Sequence, residues 1–111
     1  KMGLNLSRGE AIKYYSSDRI TQIVGNGLVC LIDEKTKYRD FFNNDEMVFY
    51  KNENDLSEKI LKISRDEKLR RSIGKKGKNK YMKYFNSTQV AEFLISKTLN
   101  IKSNKRYFWH N

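Results

Sequence analysis

One stretch of this chain limits its fold more than any other. Gly27 is followed at once by Leu28-Val29-Cys30-Leu31-Ile32, five apolar residues closed by Asp33. A run so short, without polar alternation, predicts a strand buried on both faces. Such strands belong to sheets covered by helices on either side, so an α/β domain with parallel strands follows. The residues just before it carry a matching helix. Ile20, Ile23 and Val24 stand at i, i+3 and i+4, one apolar face. Asn26-Gly27 is the stop, because glycine enters the left-handed region without a Cβ clash. Ser17 or Asp18 is expected to cap this helix through a side-chain oxygen.

The rest of the chain extends the same grammar. Residues 2–6 alternate weakly, as a strand end does, and Ser7 to Ser16 reads as a polar loop containing Gly9. A short helix is expected over 36–44 with Tyr38, Phe41 and Phe42 inward, then a short strand from Met47 to Tyr50. Asp55-Leu56-Ser57-Glu58 has capping-box spacing, and Leu56, Ile60, Leu61 and Ile63 form the buried stripe of the next helix. Ser64-Arg65-Asp66-Glu67 repeats that spacing. A third helix starts near Asp66, with Leu69, Ile73, Tyr81 and Tyr84 or Phe85 on one side and Gly77 where another element can come close. Asn86-Ser87 opens a last helix with Val90, Phe93 and Leu94 inward, and from Lys102 the chain reads as a tail. Strand, helix, strand, helix, strand and then helices describe the second half of an open parallel sheet.

Composition excludes several chemistries. His110 is the single histidine, so neither a His-based triad nor a multi-histidine metal site is available. Cys30 is the single cysteine, which rules out a zinc cluster and an intrachain disulfide and fits a cytosolic setting. Lying inside an apolar strand, it reads as a small core residue. Neither a Walker A loop nor a Gly-x-Gly-x-x-Gly fingerprint occurs. The acidic pairs Asp45-Glu46 and Asp66-Glu67 read as caps and solvated charges. No apolar segment approaches the ~20 residues that span a bilayer, and no secretory apolar stretch lies near the first residue.

The net charge of +10 over 111 residues raises nucleic acid or an anionic surface as partners. Lysine is spread along the whole chain with recurrent asparagine, so a general surface bias is the preferred reading. The third helix carries Lys68, Arg70, Arg71, Lys75, Lys76, Lys78, Lys80 and Lys83. Its aromatics extend an apolar stripe instead of joining those cations, which favours a solvated face over nucleic acid. The tail Lys105-Arg106-Tyr107-Phe108-Trp109 mixes cations and aromatics as an interfacial anchor does, or else packs on a neighbouring lobe.

One group of residues remains that can hold a ligand. A helix opening with Ser16, Ser17, Asp18 and Arg19 offers free backbone N–H groups, two hydroxyls and a guanidinium, donors that suit a diphosphate. Asp18 reads first as a cap and second as an acceptor for ribose hydroxyls. Arg19 in a first turn opposes the helix dipole, so it calls for an anionic partner: a ligand phosphate, Asp18 or Glu10.

From about Ser16 to Ile95 the chain resembles the C-terminal part of group 1 glycosyltransferases of the GT-B fold. The segment Ser17-Asp18-Arg19-Ile20-Thr21-Gln22-Ile23-Val24-Gly25-Asn26-Gly27 resembles their donor-lobe motif. The likeness continues in order through Arg39-Asp40-Phe41-Phe42, Glu46-Met47-Val48-Phe49-Tyr50, Asp55-Leu56-Ser57-Glu58-Lys59-Ile60 and Ile73-Gly74-Lys75-Lys76-Gly77. The resemblance implies a Rossmann-like lobe with a helix-rich C-terminus, residues 1–101 being part of the C-terminal nucleotide-sugar-binding lobe and 102–111 a basic, aromatic tail.

It further implies a nucleotide-diphosphate sugar as substrate, contacted by Ser16, Ser17, Asp18, Arg19 and Gln22, with no cofactor and commonly no bound metal. An N-terminal acceptor lobe is the implied partner, without which this piece is expected to be inactive. A cytoplasmic location is expected, with contact at the inner face of a membrane left open by the tail and nucleic acid the less favoured partner. Two departures stand out. Gln22 occupies the place of a ribose-holding glutamate, and Tyr14 the place of a second glutamate eight positions earlier. The alternatives are a basic module for nucleic acid or an anionic surface, and a non-catalytic Rossmann-like interaction domain.

Overall fold

Three parallel strands carry the molecule: β1 (Met2–Asn5), β2 (Val29–Asp33) and β3 (Val48–Tyr50), in that order across the sheet. The computed structural model describes residues 1–15 and 17–110. β2 is central, pairing with β1 from Met2↔Val29 to Asn5↔Ile32 and with β3 from Leu31↔Val48 to Asp33↔Tyr50. Its position accounts for its unbroken apolar run, since Val29, Cys30, Leu31 and Ile32 are all buried. Alternate residues serve opposite faces. Cys30, Ile32 and Phe49 join Ile20, Ile23, Val24 and Phe42 on one side. Val29, Leu31, Val48 and Tyr50 join Ile63 and Ile73 on the other. The result is an α/β, Rossmann-like lobe with helices on both faces of a parallel sheet.

Helix α1 (Asp18–Gly25) buries Ile20, Ile23 and Val24 against the first face. It stops where the sequence says it should. Gly27 takes φ +72°, and its N–H donates to the Val24 carbonyl at 2.9 Å. Between β2 and β3 the expected helix over 36–44 is absent. Two 3₁₀ turns, Glu34–Thr36 and Tyr38–Asp40, stand in its place, separated by Lys37 at φ 60°. A left-handed residue breaks helical propagation. The Asp33 carboxylate accepts the Lys35 N–H, and the Thr36 hydroxyl donates to the Asp33 carbonyl, satisfying groups locally. Tyr38 and Phe42 still reach the core, and Phe41 is half-buried.

Helix α2 (Glu53–Arg65) begins earlier than its expected capping box. Asn52 is the N-cap and accepts the Asp55 N–H at 2.9 Å, while the Asp55 carboxylate accepts from the Lys51 N–H and from Lys59 Nζ. Leu61 is 52% exposed and leaves the buried stripe. Leu56, Ile60 and Ile63 are spaced four and three residues apart and share a face, whereas Leu61 lies about 100° round from Ile60. At the next boundary Asp66, not Ser64, is the cap, accepting the Leu69 N–H at 2.8 Å. The Ser64 hydroxyl donates to the Leu61 carbonyl instead.

Helix α3 (Glu67–Tyr84) serves both faces. Leu69 and Ile73 pack into the second cluster, and Tyr81 with the C-cap Phe85 packs into the first. To do so α3 crosses the amino-terminal ends of β2 and β3. A Cβ at Gly74 would lie 2.1 Å from the Gly27 carbonyl oxygen, and one at Gly77 would lie 2.3 Å from that of Glu46. Only glycine permits an approach this close.

Helix α4 (Ser87–Thr98) reverses an expectation. Val90 and Leu94, read as inward, are exposed together with Ile95, and the helix has no buried residue. Its Phe93 turns inward, meeting Tyr107 at 5.2 Å and Trp109 at 6.0 Å, and Gln89 and Ser96 are half-buried. The segment after Lys102 takes the place α4 was expected to fill. Tyr107 is buried, Phe108 stacks on Tyr84 at 4.6 Å, and Trp109 stacks on Phe85 at 5.5 Å. Aromatic rings bury more area per residue than leucine or valine, so they win the inner position.

Candidate functional site

The chain leaves the sheet at the carboxyl end of β1 and returns at Ser17 to begin α1. Between these points the loop and the first turn of α1 enclose an open depression of about 620 Å³. Ser17, Asp18, Arg19 and Gln22 lie together on one wall, and Arg8 and Glu10 lie among the loop residues facing them. Ser16, the remaining candidate from the sequence, falls outside the described residues. The rim is of mixed sign, with two arginines and two carboxylates.

Two hydrogen bonds tie this wall to the last residue of β1 and the residue after it. Ser17 occupies the N-cap position with extended backbone, but no side chain caps the first turn. Its hydroxyl donates instead to Asn5 Oδ1 at 3.1 Å. Asn5 is only 3% exposed, so the hydroxyl satisfies a buried amide oxygen that would otherwise be costly. Asp18 is the first helical residue and also caps nothing. The expected side-chain cap is therefore absent, because the strand end competes for the hydroxyl. What remains, among the described residues, is a first turn that the Ser17 side chain does not cap, with the positive end of the helix dipole bordering the depression.

Arg19 finds a neutral partner. Its Nη1 donates to the Leu6 carbonyl at 3.0 Å, and neither Asp18 nor Glu10 forms an ion pair with it. That bond fixes the guanidinium against the strand end and leaves most of its N–H fork on the wall. Gln22 stands one turn further along α1, exposed, with its backbone carbonyl accepting from Asn26 Nδ2 at 2.6 Å. Asn5 and Arg8 were missed by the sequence reading. The available signals were an amide where a strand stops and a cation beside Gly9 in the loop.

Tyr14 points elsewhere. It adopts φ 58°, its N–H donates to the Thr36 carbonyl at 2.9 Å, and its ring meets Phe41 at 5.0 Å. Its hydroxyl donates to Asp40, and that hydrogen bond holds the phenol above its ordinary pKa. Tyr14 thus fastens the loop to the β2–β3 connection and contributes no group to the wall.

Elsewhere several charged residues are engaged structurally. Lys80 pairs with Glu46 at 2.8 Å, Lys76 with Asp45 at 3.0 Å and Arg71 with Glu67 at 2.7 Å. Arg70 donates to the carbonyls of Ile63 and Ser64, closing the end of α2. Burial pushes the Cys30 thiol up to about 12, which leaves it protonated and unreactive at neutral pH. Among the described residues no group of three or more histidine, cysteine or carboxylate side chains forms a metal-holding cluster. No helix there is long and apolar enough to cross a membrane.

No curated protein and no solved structure matches the chain significantly. A family does. The sequence model of the family described as glycosyl transferase-like matches residues 1–96, taking in β1, the loop and all of the sheet. The match starts ahead of the Ser16–Ile95 likeness read from motifs, and it covers both halves of the wall. With most of its length and its whole parallel sheet inside that match, the chain belongs to the glycosyl transferase-like family.

Proposed function

We propose that the depression at the carboxyl end of β1 binds the diphosphate and ribose of a nucleotide-diphosphate sugar, as part of the donor lobe of a glycosyltransferase. The observation that carries this reading is the gathering of Ser17, Asp18, Arg19 and Gln22 on one wall, beside a helix N-terminus that the Ser17 side chain does not cap. In this reading Arg19 and the first-turn amides hold the diphosphate, Ser16 adds a hydroxyl donor, and the Ser17 hydroxyl oxygen, whose proton is held by Asn5, joins Asp18 and Gln22 in hydrogen-bonding the ribose hydroxyls. Residues 1–101 form that part of the lobe and 102–111 its tail. Transfer breaks the bond between the sugar anomeric carbon and the diphosphate oxygen and forms one to an acceptor oxygen, whose proton passes to a base. Charge accumulates on the departing diphosphate, and oriented N–H donors meet it without reorganising. The acceptor surface and the base belong to a separate lobe of the parent polypeptide in this proposal. The lone cysteine supports a reducing, cytoplasmic setting.

Calorimetric titration of the 111-residue chain with UDP, GDP and their sugars tests this. Saturable binding that weakens about tenfold in Arg19→Ala is expected, in keeping with loss of a charge-assisted contact. Absence of saturable binding to every nucleotide, or binding unchanged in both Arg19→Ala and Ser17→Ala, would overturn it. Tight RNA binding with steep salt dependence in place of nucleotide binding would favour the nucleic-acid alternative.

A further inference from the structure

Four groups hold Phe108 of the tail. It stacks on Tyr84 at 4.6 Å, meets Phe85 edge to face at 5.9 Å and packs tilted on Phe41 at 6.2 Å. Lys80 Nζ lies 5.4 Å from its ring centroid while paired with Glu46, so the cation in this seat is itself fixed. These ring separations lie in the range where aromatic pairs attract. Phe108 nevertheless stays 39% exposed. It occupies a shallow socket beside the core, and the socket sets its position.

Phe41 is the member of that socket with a second duty. The Tyr14 ring meets it at 5.0 Å. The Tyr14 hydroxyl donates to Asp40, the residue just before Phe41, and the Tyr14 N–H donates to the Thr36 carbonyl. Phe41 therefore touches both the tail and the loop between β1 and α1. That loop forms one side of the depression. Tyr15, next to Tyr14, donates its N–H to the Ile12 carbonyl at 3.2 Å, and Ile12 and Tyr15 line the depression with Glu10. A loop held at few points depends strongly on each of them for its order.

We infer that Phe108 is a positioning residue for the β1 depression: its ring holds Phe41 against Tyr14 and so keeps the loop in the arrangement that shapes the depression. The tail lies beyond residues 1–96, which match the family, so this brace is added to the lobe that the family describes. A ligand entering a loop that is already ordered loses less freedom on binding, so the tail raises affinity without touching the ligand. That consequence rests on the donor reading, whereas the brace itself does not.

Amide hydrogen exchange of the full chain, read at the Tyr14 N–H, tests it. Phe108→Ala is expected to speed this exchange at least about fivefold, the factor of one lost ring contact. Leu69→Ala, which loosens the other face of the sheet, should lower overall stability yet leave Tyr14 exchange within about twofold of the parent chain. Phe108→Leu keeps apolar volume without the ring, and it should show the same contrast at reduced size if the alanine variant fails to fold. Tyr14 exchange unchanged in a folded Phe108 variant overturns the inference. So does exchange raised equally by Leu69→Ala, which would reduce Phe108 to ordinary packing. Affinity for UDP or GDP, whichever binds the parent chain, should fall about threefold in Phe108→Ala, and equal affinity in the two chains also overturns the inference. If neither nucleotide binds the parent chain, the donor reading fails while Tyr14 exchange still decides the brace.

Discussion

The two ends of the sheet are built on opposite principles. At the amino-terminal end α3 lies on the backbone itself, with Gly74 against Gly27 and Gly77 against Glu46, and no atom can be added. At the carboxyl end of β1 the chain opens into a polar depression whose wall is held by two side-chain hydrogen bonds, Ser17 to Asn5 and Arg19 to Leu6. One end gives the lobe its stability and the other leaves polar groups unspent. Parallel α/β sheets bind ligands beyond the carboxyl ends of their strands, and this lobe keeps its tightest packing well away from there.

The sharpest way to break that contrast is to add one carbon at the closed end. Gly74→Ala would place a Cβ 2.1 Å from a backbone oxygen, so α3 or the Gly27 turn must shift. A loss of about 3 kcal/mol or more in urea unfolding is expected. A change below about 1 kcal/mol would show that the helix crossing is compliant and that the two ends are not so different. Next in size is an alkaline effect centred on the same core. The Cys30 thiol is raised from an ordinary 9.0 to about 12 by burial. The folded state therefore keeps a proton that the unfolded chain releases. Stability is complete below about pH 9 and falls as pH rises towards about 12. Cys30→Ala should remove this component of the alkaline slope, and an unchanged slope would show that other groups carry it.

At the open end a large change in binding should accompany a small change in stability. Arg19→Ala removes one exposed hydrogen bond to a carbonyl, so its melting temperature should stay within about 4 °C of the parent chain. Nucleotide affinity should nevertheless drop about tenfold. A variant that loses stability as steeply as Gly74→Ala would place Arg19 among the structural residues.

The closed end was largely legible in the sequence, because local rules decide it. An apolar run behind a glycine gave β2, Gly27 took the left-handed turn its place demands, and Gly77 marked a close approach. The open end was legible in composition but not in bonding. Ser17 has the residue type and position of a cap, yet Asn5, twelve residues earlier, competes for its hydroxyl through the fold. Lys37 offered no sign that it would turn left-handed and divide 34–40 into two short turns. For α4 the periodicity admits an inward side through Phe93 as readily as one through Val90 and Leu94. Which side wins depends on Tyr107 and Trp109 folding back, a contact between elements that no local pattern contains.

The smallest effects should come from the ion pairs that flank the α3 crossing, and they test whether the closed end depends on packing or on charge. Lys80 and Glu46 are each 17% exposed at the side chain, and Glu46 also accepts the Asn43 N–H, so the pair is fixed at the base of β3. Lys76 and Asp45 are more than half exposed. Hydrogen bonding to Lys76 lowers the Asp45 pKa, so this contribution is present above the ordinary carboxylate range and lost as pH falls through the lowered value. Solvent and salt screen such a pair strongly. Lys80→Ala should therefore cost about 1 kcal/mol by leaving a half-buried carboxylate without its cation. Lys76→Ala should move the melting temperature by no more than about 1 °C. If Lys76→Ala proved as costly as Lys80→Ala, surface charge would hold α3 in place as much as the glycine contacts do, and the closed end would loosen at high salt. If both were silent, backbone packing at Gly74 and Gly77 would carry the crossing alone.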